Sequence, residues 1–348
     1  MPKCTIARSK RVVGYSLPLK RSNTSHSANR TVAAANKMKQ VIDKDLTASQ
    51  KRRDKAKNAK INKLPTYRWS GYTTDPFSFP DKIFYQFPPH GLRLFQNTQK
   101  GFVHWLDRDQ GVFSSLMVPR EHVSKHCNAR NSRVVCEAMQ TLMHKEKTIV
   151  RGDRARGTSH IFTVFGSKVL HGKGLSRSKI DNKLPGVAKE LARWCERMEH
   201  IAIGWIPSKW LRAMRAVVEL TGYPTITGCD FYAALASTKN YSSPAHIDDD
   251  FSLSIHQLNV DGRFGDNKIA QYFVFPTCGY AVALRPGDVF LFNPHVHHCI
   301  SEKSPSYINN DVILTTAYLK NRHVSKNDKD ATLTPEETDC FAMSLNKT

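Results

Sequence analysis

Histidine and carboxylate side chains that could bind a metal ion are concentrated in residues 241–319. His246 and Asp248 lie two positions apart in the segment SSPAHIDDDFSLSI. A second group follows in ALRPGDVFLFNPHVHHCIS and contains His295, His297 and His298. Two histidines and one carboxylate on one face of an ion, with the opposite positions open, suit a catalytic Fe(II) centre. The residue types predict such a centre, with His298 following His246 by 52 residues.

The local pattern around His246 is typical of a β-strand. Side chains alternate across a strand, so we expect His246 and Asp248 to point the same way and to bind one ion. Asp250 has the same parity and is expected to orient a ligand or contact a substrate. His256 shares that parity further along the chain.

Short strand candidates separated by turn residues dominate the second half of the chain. Turns are predicted at Pro286-Gly287 and at Asn309-Asn310, among others. The strand candidates are 228–236, 251–260, 269–275, 280–284, 288–293, 297–301 and 311–319. Earlier strands are expected at 84–87, 101–106 and 160–165, and helices at 133–150, 187–201 and 210–220. The pattern predicts an α+β fold, a cupin-like jelly roll with helices packed outside the sheet.

Composition divides the chain into four predicted segments. Residues 1–63 carry 17 Lys or Arg against 3 Asp and almost no aromatic residues, which predicts a disordered basic tail. Within it, residues 37–63 could form a transient basic helix. Residues 64–183 form the first part of the folded domain, aromatic-rich and then basic; residues 184–322 hold helices and the jelly-roll core. Residues 323–348 are expected to be a polar tail.

Net charge indicates a polyanionic partner. The 348 residues contain 52 Lys or Arg and 30 Asp or Glu, a formal charge of +22, which favours nucleic acid, with DNA as the first expectation. We expect the basic tail and the loops of residues 145–183, which hold 10 basic and 3 acidic residues, to contact it. No apolar run is long enough to span a bilayer, and residues 1–20 lack the apolar core expected of a secretory signal. The expected location is nuclear or otherwise intracellular, with the 8 cysteines reduced.

These motifs resemble those of the Fe(II)/2-oxoglutarate-dependent dioxygenases, whose fold is the double-stranded β-helix. The resemblance covers roughly residues 225–322: His246-Ile247-Asp248 match the first two iron ligands, and Arg285-Pro-Gly-Asp-Val precedes the third. In that family the distal histidine is trailed by one residue and a small apolar one, so His298-Cys-Ile fits best. His297 is the second choice, since adjacent residues face opposite sides of a strand, and His295 is the third. Within the superfamily, the basic tail and His-Cys-Ile-Ser are most similar to the TET/JBP-type enzymes and the algal 5-methylcytosine dioxygenase.

The resemblance implies catalysis with Fe(II), 2-oxoglutarate and O2 and the oxidation of a nucleic-acid base such as 5-methylcytosine. One feature departs from it, because the family places an Arg or Lys shortly after the distal histidine to pair with 2-oxoglutarate. Here that region reads Ile-Asn-Asn-Asp, residues 308–311. Since a desolvated carboxylate needs a cation or several donors, Lys320, Arg285 or Arg322 is expected to replace the missing base, or ascorbate replaces 2-oxoglutarate as cosubstrate.

Alternative interpretations stay open at this point. The chain could be a dioxygenase of a protein side chain or a small molecule, or a non-catalytic nucleic-acid-binding jelly roll. A separate group could hold structural zinc, although it contains no Cys-x-x-Cys pair: His122, His126, Cys127, Cys136 and His144. The oligomeric state is not predicted.

Overall fold

The structure is a computed structural model. It describes residues 44–68, 86–96, 99–107, 112–145, 161–170, 174–177, 183–221, 224–248, 250 and 253–319. Most of the predicted basic tail, the predicted C-terminal tail, and Lys320 and Arg322 lie outside the described residues. So do residues 146–160, 171–173 and 178–182, which form most of the predicted basic loops.

Fourteen strands of the described chain form two sheets. They are β1 (Thr66–Arg68), β2 (Arg93–Phe95), β3 (Phe102–Asp107), β4 (Val112–Met117), β5 (Ile161–Leu170), β6 (Gly174–Arg177), β7 (Ala234–Lys239), β8 (Ser243–His246), β9 (Ser254–Val260), β10 (Gln271–Phe275), β11 (Tyr280–Leu284), β12 (Val289–Phe292), β13 (His298–Ile300) and β14 (Val312–Tyr318). The larger sheet has the order β1-β3-β4-β12-β9-β14-β7-β5-β6, and the smaller has the order β2-β11-β10-β13-β8.

Strands β7 to β14 form the jelly roll that the sequence predicts. Four of them, β12, β9, β14 and β7, are neighbours in the larger sheet, and the other four, β11, β10, β13 and β8, are neighbours in the smaller. Along the chain, strands cross repeatedly from one sheet to the other, which is why the sheets face each other over a shared interior. The predicted fold class is confirmed.

The interior between the two sheets is aromatic. Alternate residues of β10 and β12 point inward, so Phe273, Phe275, Phe290 and Phe292 pack together with Tyr280. The ring centroids of Phe273 and Phe292 are 4.8 Å apart. Such clusters bury large apolar areas and fix the spacing of the sheets from the inside.

Five helices of the described chain surround the sheets: α1 (Ala48–Ile61), α2 (Arg120–Val123), α3 (Ala129–Lys145), α4 (Pro185–Ile203) and α5 (Ser208–Thr221). The last two cover the outer face of the larger sheet, where the predicted apolar stripe of α4, including Leu191, Trp194 and Met198, is buried. In this contact Trp194 Nε1 donates to Gln257 Oε1 on β9 at 2.6 Å. Among the described residues, no helix is long and apolar enough to cross a membrane.

The structure corrects the predicted boundary of the tail. Residues 48–61, assigned to the disordered segment 1–63, form helix α1, which packs against the body of the protein. A capping box at Thr47 and Gln50 begins the helix, and Ile61 at its end is 2% exposed. Lys57 Nζ donates to the carbonyl oxygen of Ile206 at 2.8 Å. The expectation of disorder does not hold for residues 48–61, whereas the basic helix considered within residues 37–63 is present there. Polar contacts dock this helix, and amino-acid composition does not report such contacts.

One predicted strand lies elsewhere. Strand β7 begins at Ala234, whereas the sequence predicted a strand over residues 228–236. The carboxylate of Glu199 accepts hydrogen bonds from the backbone N–H groups of Asp230, Phe231 and Tyr232, at 2.6 to 3.1 Å. Those amides are therefore unavailable to a sheet ladder, and the segment forms a loop. Residues 86–92, part of which was expected to belong to a strand, are also irregular.

Candidate metal centre

The register of two strands places His246 opposite His298. Strand β8 ends at His246, β13 begins at His298, and these two residues are direct cross-strand partners in the antiparallel pair. Their ring centroids are 4.5 Å apart. The 51 residues between them include the intervening strands β9 to β12, yet the sheet brings the two imidazoles together.

Asp248 lies two residues beyond the end of β8, between the two imidazoles. Its backbone N–H donates to the carbonyl oxygen of Pro294 at 3.0 Å, which ties this loop to the segment leading into β13. Its Oδ1 is 3.5 Å from His246 Nε2, and its Oδ2 is 3.3 Å from His298 Nε2. One carboxylate thus faces both histidines.

Backbone carbonyls orient both imidazoles in the same way. His246 Nδ1 is 2.7 Å from the oxygen of Pro244, and His298 Nδ1 is 2.8 Å from that of Val296. A carbonyl oxygen only accepts, so each Nδ1 carries a proton, and Nε2 is the ring nitrogen that faces Asp248 and is placed to bind a metal. This is the arrangement that metal-binding histidines require, since the second nitrogen fixes the tautomer.

The three side chains fit one divalent metal ion. One ligand atom from each of His246, Asp248 and His298 lies within 4.8 Å of the other two. Ligands about 2.1 Å from an ion and at right angles are about 3 Å apart, close to the 3.3 and 3.5 Å seen between the carboxylate and the imidazoles. In the described part of the chain, this is the one group of three or more His, Cys, Asp or Glu side chains that could hold a metal.

The site is open on one side and closed on the other. Side chains of His246 and Asp248 are 30% and 34% exposed, whereas that of His298 is 3% exposed. On the inner side Phe273 stacks on His298 at 5.3 Å, and Phe292 meets it edge-on at 5.0 Å. Ligands therefore reach the triad from the solvent side, while an aromatic wall excludes water from the other.

His256, on β9, contacts the same aromatic residues, Phe273 and Phe292, that contact His298. It is buried, stacks on Phe292 at 4.6 Å, and its Nδ1 hydrogen-bonds to Thr316 Oγ1. Burial, reinforced by nearby His298, lowers the pKa of His256 to about 3 despite the opposing effect of Asp248. This side chain is therefore a neutral hydrogen-bonding group. Thr316 was missed by sequence reasoning, and an inward-facing polar residue on β14 is the signal that could have indicated it.

The other predicted histidines and acids do not join the triad. Asp250 is buried and accepts a hydrogen bond at 3.4 Å from the hydroxyl of Ser254, the first residue of β9. His295 and His297 lie outside the metal-competent group, and burial, together with His298, lowers the pKa of His297. Of the three distal histidines that the sequence offered, the structure brings His298 to the site.

Arg285 lies away from the triad, which corrects the prediction that it anchors a cosubstrate there. Its guanidinium donates to the carbonyl oxygens of Asn267, at 2.8 Å, and Gln96, and its backbone N–H donates to Asp288. It follows Leu284, whose register partner on β10 is Gln271, at the end of the sheet remote from His298. The physical reason is that Arg285 lies in the turn before β12, whereas His298 follows the loop after β12. The length of that strand separates the two residues.

The predicted zinc group is not supported by the described residues. Burial raises the pKa of Cys127 to about 11 and that of Cys136 to about 12, so both remain protonated thiols. These cysteines and the neighbouring histidines do not form a group that could hold a metal. All six cysteines in the described part of the chain are free thiols, as the sequence predicts.

Comparisons with known proteins give matches in structure alone. No protein-family model and no curated protein matches the sequence. NgTET1 in complex with 5mC DNA matches with a TM-score of 0.44 and 12% identity, over 86% of this chain and 91% of that one. The 2OG complex of the viral collagen prolyl hydroxylase from Paramecium bursaria Chlorella virus-1 gives 0.30 and 10%, over 56% and 91%. The α-ketoglutarate-dependent epimerase SnoN of nogalamycin biosynthesis gives 0.32 and 14%, over 61% and 81%.

All three TM-scores are below 0.5 and all three identities are below 25%, so the chemistry of the site is derived from its own geometry. These matches are likenesses in the arrangement of the chain alone.

Proposed function

We propose that the protein is an Fe(II)-dependent dioxygenase that oxidises a base of nucleic acid, with 5-methylcytosine as the first candidate. The observation that carries the proposal is the facial arrangement of His246, Asp248 and His298, with both Nε2 atoms turned toward the carboxylate. Two imidazoles and one carboxylate with an open side are the donor set of non-haem iron oxygenases. When bound, the iron supplies O2 activation for oxidation of a C–H bond.

The protein's own residues prepare the site. The Pro244 and Val296 carbonyls hold the two imidazoles in the metal-binding tautomer. Asp248 contributes the single negative charge, and the Asp248 N–H to Pro294 hydrogen bond keeps its loop against β13. The aromatic wall on the inner side keeps water from the buried side of the ion, which strengthens the electrostatic interactions there.

We propose 2-oxoglutarate and O2 as cosubstrates, with ascorbate as the alternative to 2-oxoglutarate. Among the described buried residues, Lys57 and Arg285 are the two basic side chains, and neither contacts the triad. The groups proposed to receive the distal carboxylate are therefore Lys320 and Arg322, outside the described residues, or neutral donors such as Thr316. The charge of the protein, +22, supports a polyanionic substrate. A base in a duplex must be flipped out of the stack to reach such a site.

Iron binding is tested by anaerobic titration of the protein with Fe(II). We expect wild type to bind one equivalent, and His246→Ala to lose at least tenfold in affinity because one of three ligands is removed. His295→Ala is the matched control, since it removes an imidazole that lies outside the triad. Equal affinity of wild type and His246→Ala would contradict the proposal.

Substrate and cosubstrate are tested together. The protein is incubated with 5-methylcytosine DNA, Fe(II) and either 2-oxoglutarate or ascorbate, and the nucleosides are analysed by mass spectrometry. The proposal predicts loss of 5-methylcytosine and gain of an oxidised nucleoside in one of the two reactions, and no change with His246→Ala. An unchanged nucleoside profile with both cosubstrates, from protein that binds Fe(II), would contradict the nucleic-acid substrate and favour a protein or small-molecule substrate.

A further inference from the structure

A basic groove lies between helices α1 and α5, on the helical side of the protein. It has a volume of about 270 Å³ and includes Ile203 and Gly204 at the end of α4. Five basic residues line it, Arg53, Lys57 and Lys60 from α1 and Arg212 and Arg215 from α5. Cations thus line both walls of one concave surface.

Polar contacts at the base of the groove hold the two helices together. Asp54 Oδ1 accepts hydrogen bonds from the backbone N–H of Ser208, at 2.9 Å, and from its hydroxyl, at 2.6 Å, so α1 caps the start of α5. Lys57 Nζ donates to the carbonyl oxygen of Ile206 at 2.8 Å. These contacts make the basic helix a fixed wall rather than a free segment.

Cations remain available at the rim of the groove. Lys57 lies 3.9 Å from Asp54, and Arg215 lies 2.7 Å from Asp230, so these two are paired. Arg53 and Lys60 are exposed and, within the described residues, form no ion pair; Lys60 Nζ lies 5.7 Å from the Trp205 ring centroid. Burial lowers the pKa of Lys57, Asp54 opposes this effect, and the nearby cations Arg53, Arg215 and Lys60 reinforce it.

The spacing of the cations suits a chain of phosphates. Arg53 and Lys60 are seven residues apart on one helix, which places their Cα atoms about 10 Å apart along its axis. That length corresponds to about three phosphates of one nucleic-acid strand at 3.4 Å each. A single small anion would need only one end of the groove, and a membrane surface would not enter a concave one. Since like charges repel, such a cluster is stabilised by a bound polyanion.

We propose that the α1–α5 groove binds the phosphate backbone of nucleic acid. The site is separate from the triad, so binding there does not require iron, cosubstrate or catalysis. It acts as an anchoring surface whose contacts carry no base sequence information.

The test compares two double variants of the full-length protein that lose the same charge from the same helix. Arg53→Gln/Lys60→Gln removes the rim cations, whereas Arg52→Gln/Lys55→Gln removes one Arg and one Lys that do not line the groove. Binding of a fluorescent DNA duplex is measured by anisotropy at several salt concentrations, without iron. We expect the groove variant to lose about tenfold in affinity and the slope of log K against log salt to fall by about 1.5, since each phosphate contact contributes about 0.7 to 0.9. The control variant should keep a slope close to that of wild type.

A second measurement needs no substitution. Lysine acetylation of the wild-type protein, read by mass spectrometry, should show Lys60 protected by DNA and Lys55 not protected. Equal slopes of the two double variants, or equal protection of the two lysines, would overturn the proposal. The proposal would also be overturned if the groove variant lost binding to phosphatidylserine vesicles but still bound DNA like wild type. His246→Ala should bind DNA like wild type, which separates this proposal from the proposed catalytic function.

Discussion

Each triad histidine is oriented by a carbonyl two residues before it. The Pro244–His246 and Val296–His298 contacts have nearly the same length, 2.7 and 2.8 Å, although they belong to different strands. Because the contact is local, each imidazole takes its tautomer from its own segment, and cross-strand pairing has only to bring the two segments together. This division of tasks explains how a loop residue, Asp248, completes the site without lying on a strand.

A different histidine, His104, gives a prediction about pH. It is 3% exposed, its Nδ1 is 2.7 Å from Ser114 Oγ, and its ring stacks on Tyr280 at 4.3 Å. Burial, with a smaller effect of Arg93, lowers its pKa to about 4. The unfolded chain binds a proton near pH 6.5 and the native chain does not, so stability falls as pH decreases from 6.5 toward 4. The contribution lost between pH 7.5 and pH 5 is about 2 kcal/mol.

Urea unfolding of wild type and His104→Gln at pH 7.5 and pH 5 measures this loss. We expect the stability difference between the two pH values to be about 2 kcal/mol smaller in His104→Gln than in wild type. His144→Gln, which removes an exposed histidine of α3, should leave the difference as it is. An unchanged difference in His104→Gln would show that this histidine is protonated in the native protein.

At the scale of elements, the sequence pattern located the strands and helices whose own residues carry a clear hydrophobic periodicity. Strand β11 has the predicted bounds, residues 280–284, and helices α4 and α5 extend their predicted ranges by only a few residues. The strands that sequence reasoning missed, such as β1 and β2, have three residues each and depend on a neighbouring strand. Strand β7 begins later than predicted for a similar reason. Glu199, on helix α4, accepts a hydrogen bond from the backbone of the preceding segment. Pattern alone does not report such long-range contacts.

The contact of α4 with β9 gives a prediction about a buried hydrogen bond. Trp194→Phe removes the N–H donor 2.6 Å from Gln257 Oε1 and leaves Asn259 Nδ2, at 3.4 Å, as its described partner. A buried acceptor that loses its donor costs about 1–3 kcal/mol, so we expect a loss of about 2 kcal/mol in the free energy of unfolding. Thermal or urea unfolding measures it.

Two further variants separate this hydrogen bond from packing. Trp210→Phe is the matched control, because Trp210 is also buried but its Nε1 has no hydrogen-bond partner among the described residues. It should lose packing only and cost less. In Trp194→Phe/Gln257→Leu the amide that lost its indole donor is also removed, so the double variant should be more stable, by about 1 kcal/mol, than the sum of the single effects predicts. Additive effects would mean that the hydrogen bond contributes nothing beyond packing.

At the scale of the whole molecule, the sequence predicted the jelly roll and three side chains that the structure brings together, but not the position of Arg285 or of α1. His246, Asp248 and His298 could be found because residue type and spacing coincide there, although Asp248 lies in the loop after β8 and not on the expected strand. Arg285 could not be judged in advance, because its distance from the triad depends on which end of the sheet its turn occupies. Helix α1 was misjudged for a related reason: two polar residues, Asp54 and Lys57, dock it, and their partners are about 150 positions away in the chain.

The docking of α1 gives the last prediction. Asp54→Ala removes the acceptor that caps α5 at Ser208, which should cost about 1–2 kcal/mol and loosen α1 first, because few other contacts hold it. Hydrogen–deuterium exchange of peptides covering residues 48–61 should be faster in Asp54→Ala than in wild type, while exchange in β9 should change little. Asp45→Ala removes the same charge from an exposed residue before the helix and should leave exchange unchanged. Because the groove wall is α1 itself, Asp54→Ala should also weaken DNA binding although it raises the net positive charge, an outcome opposite to that expected if charge alone controlled affinity.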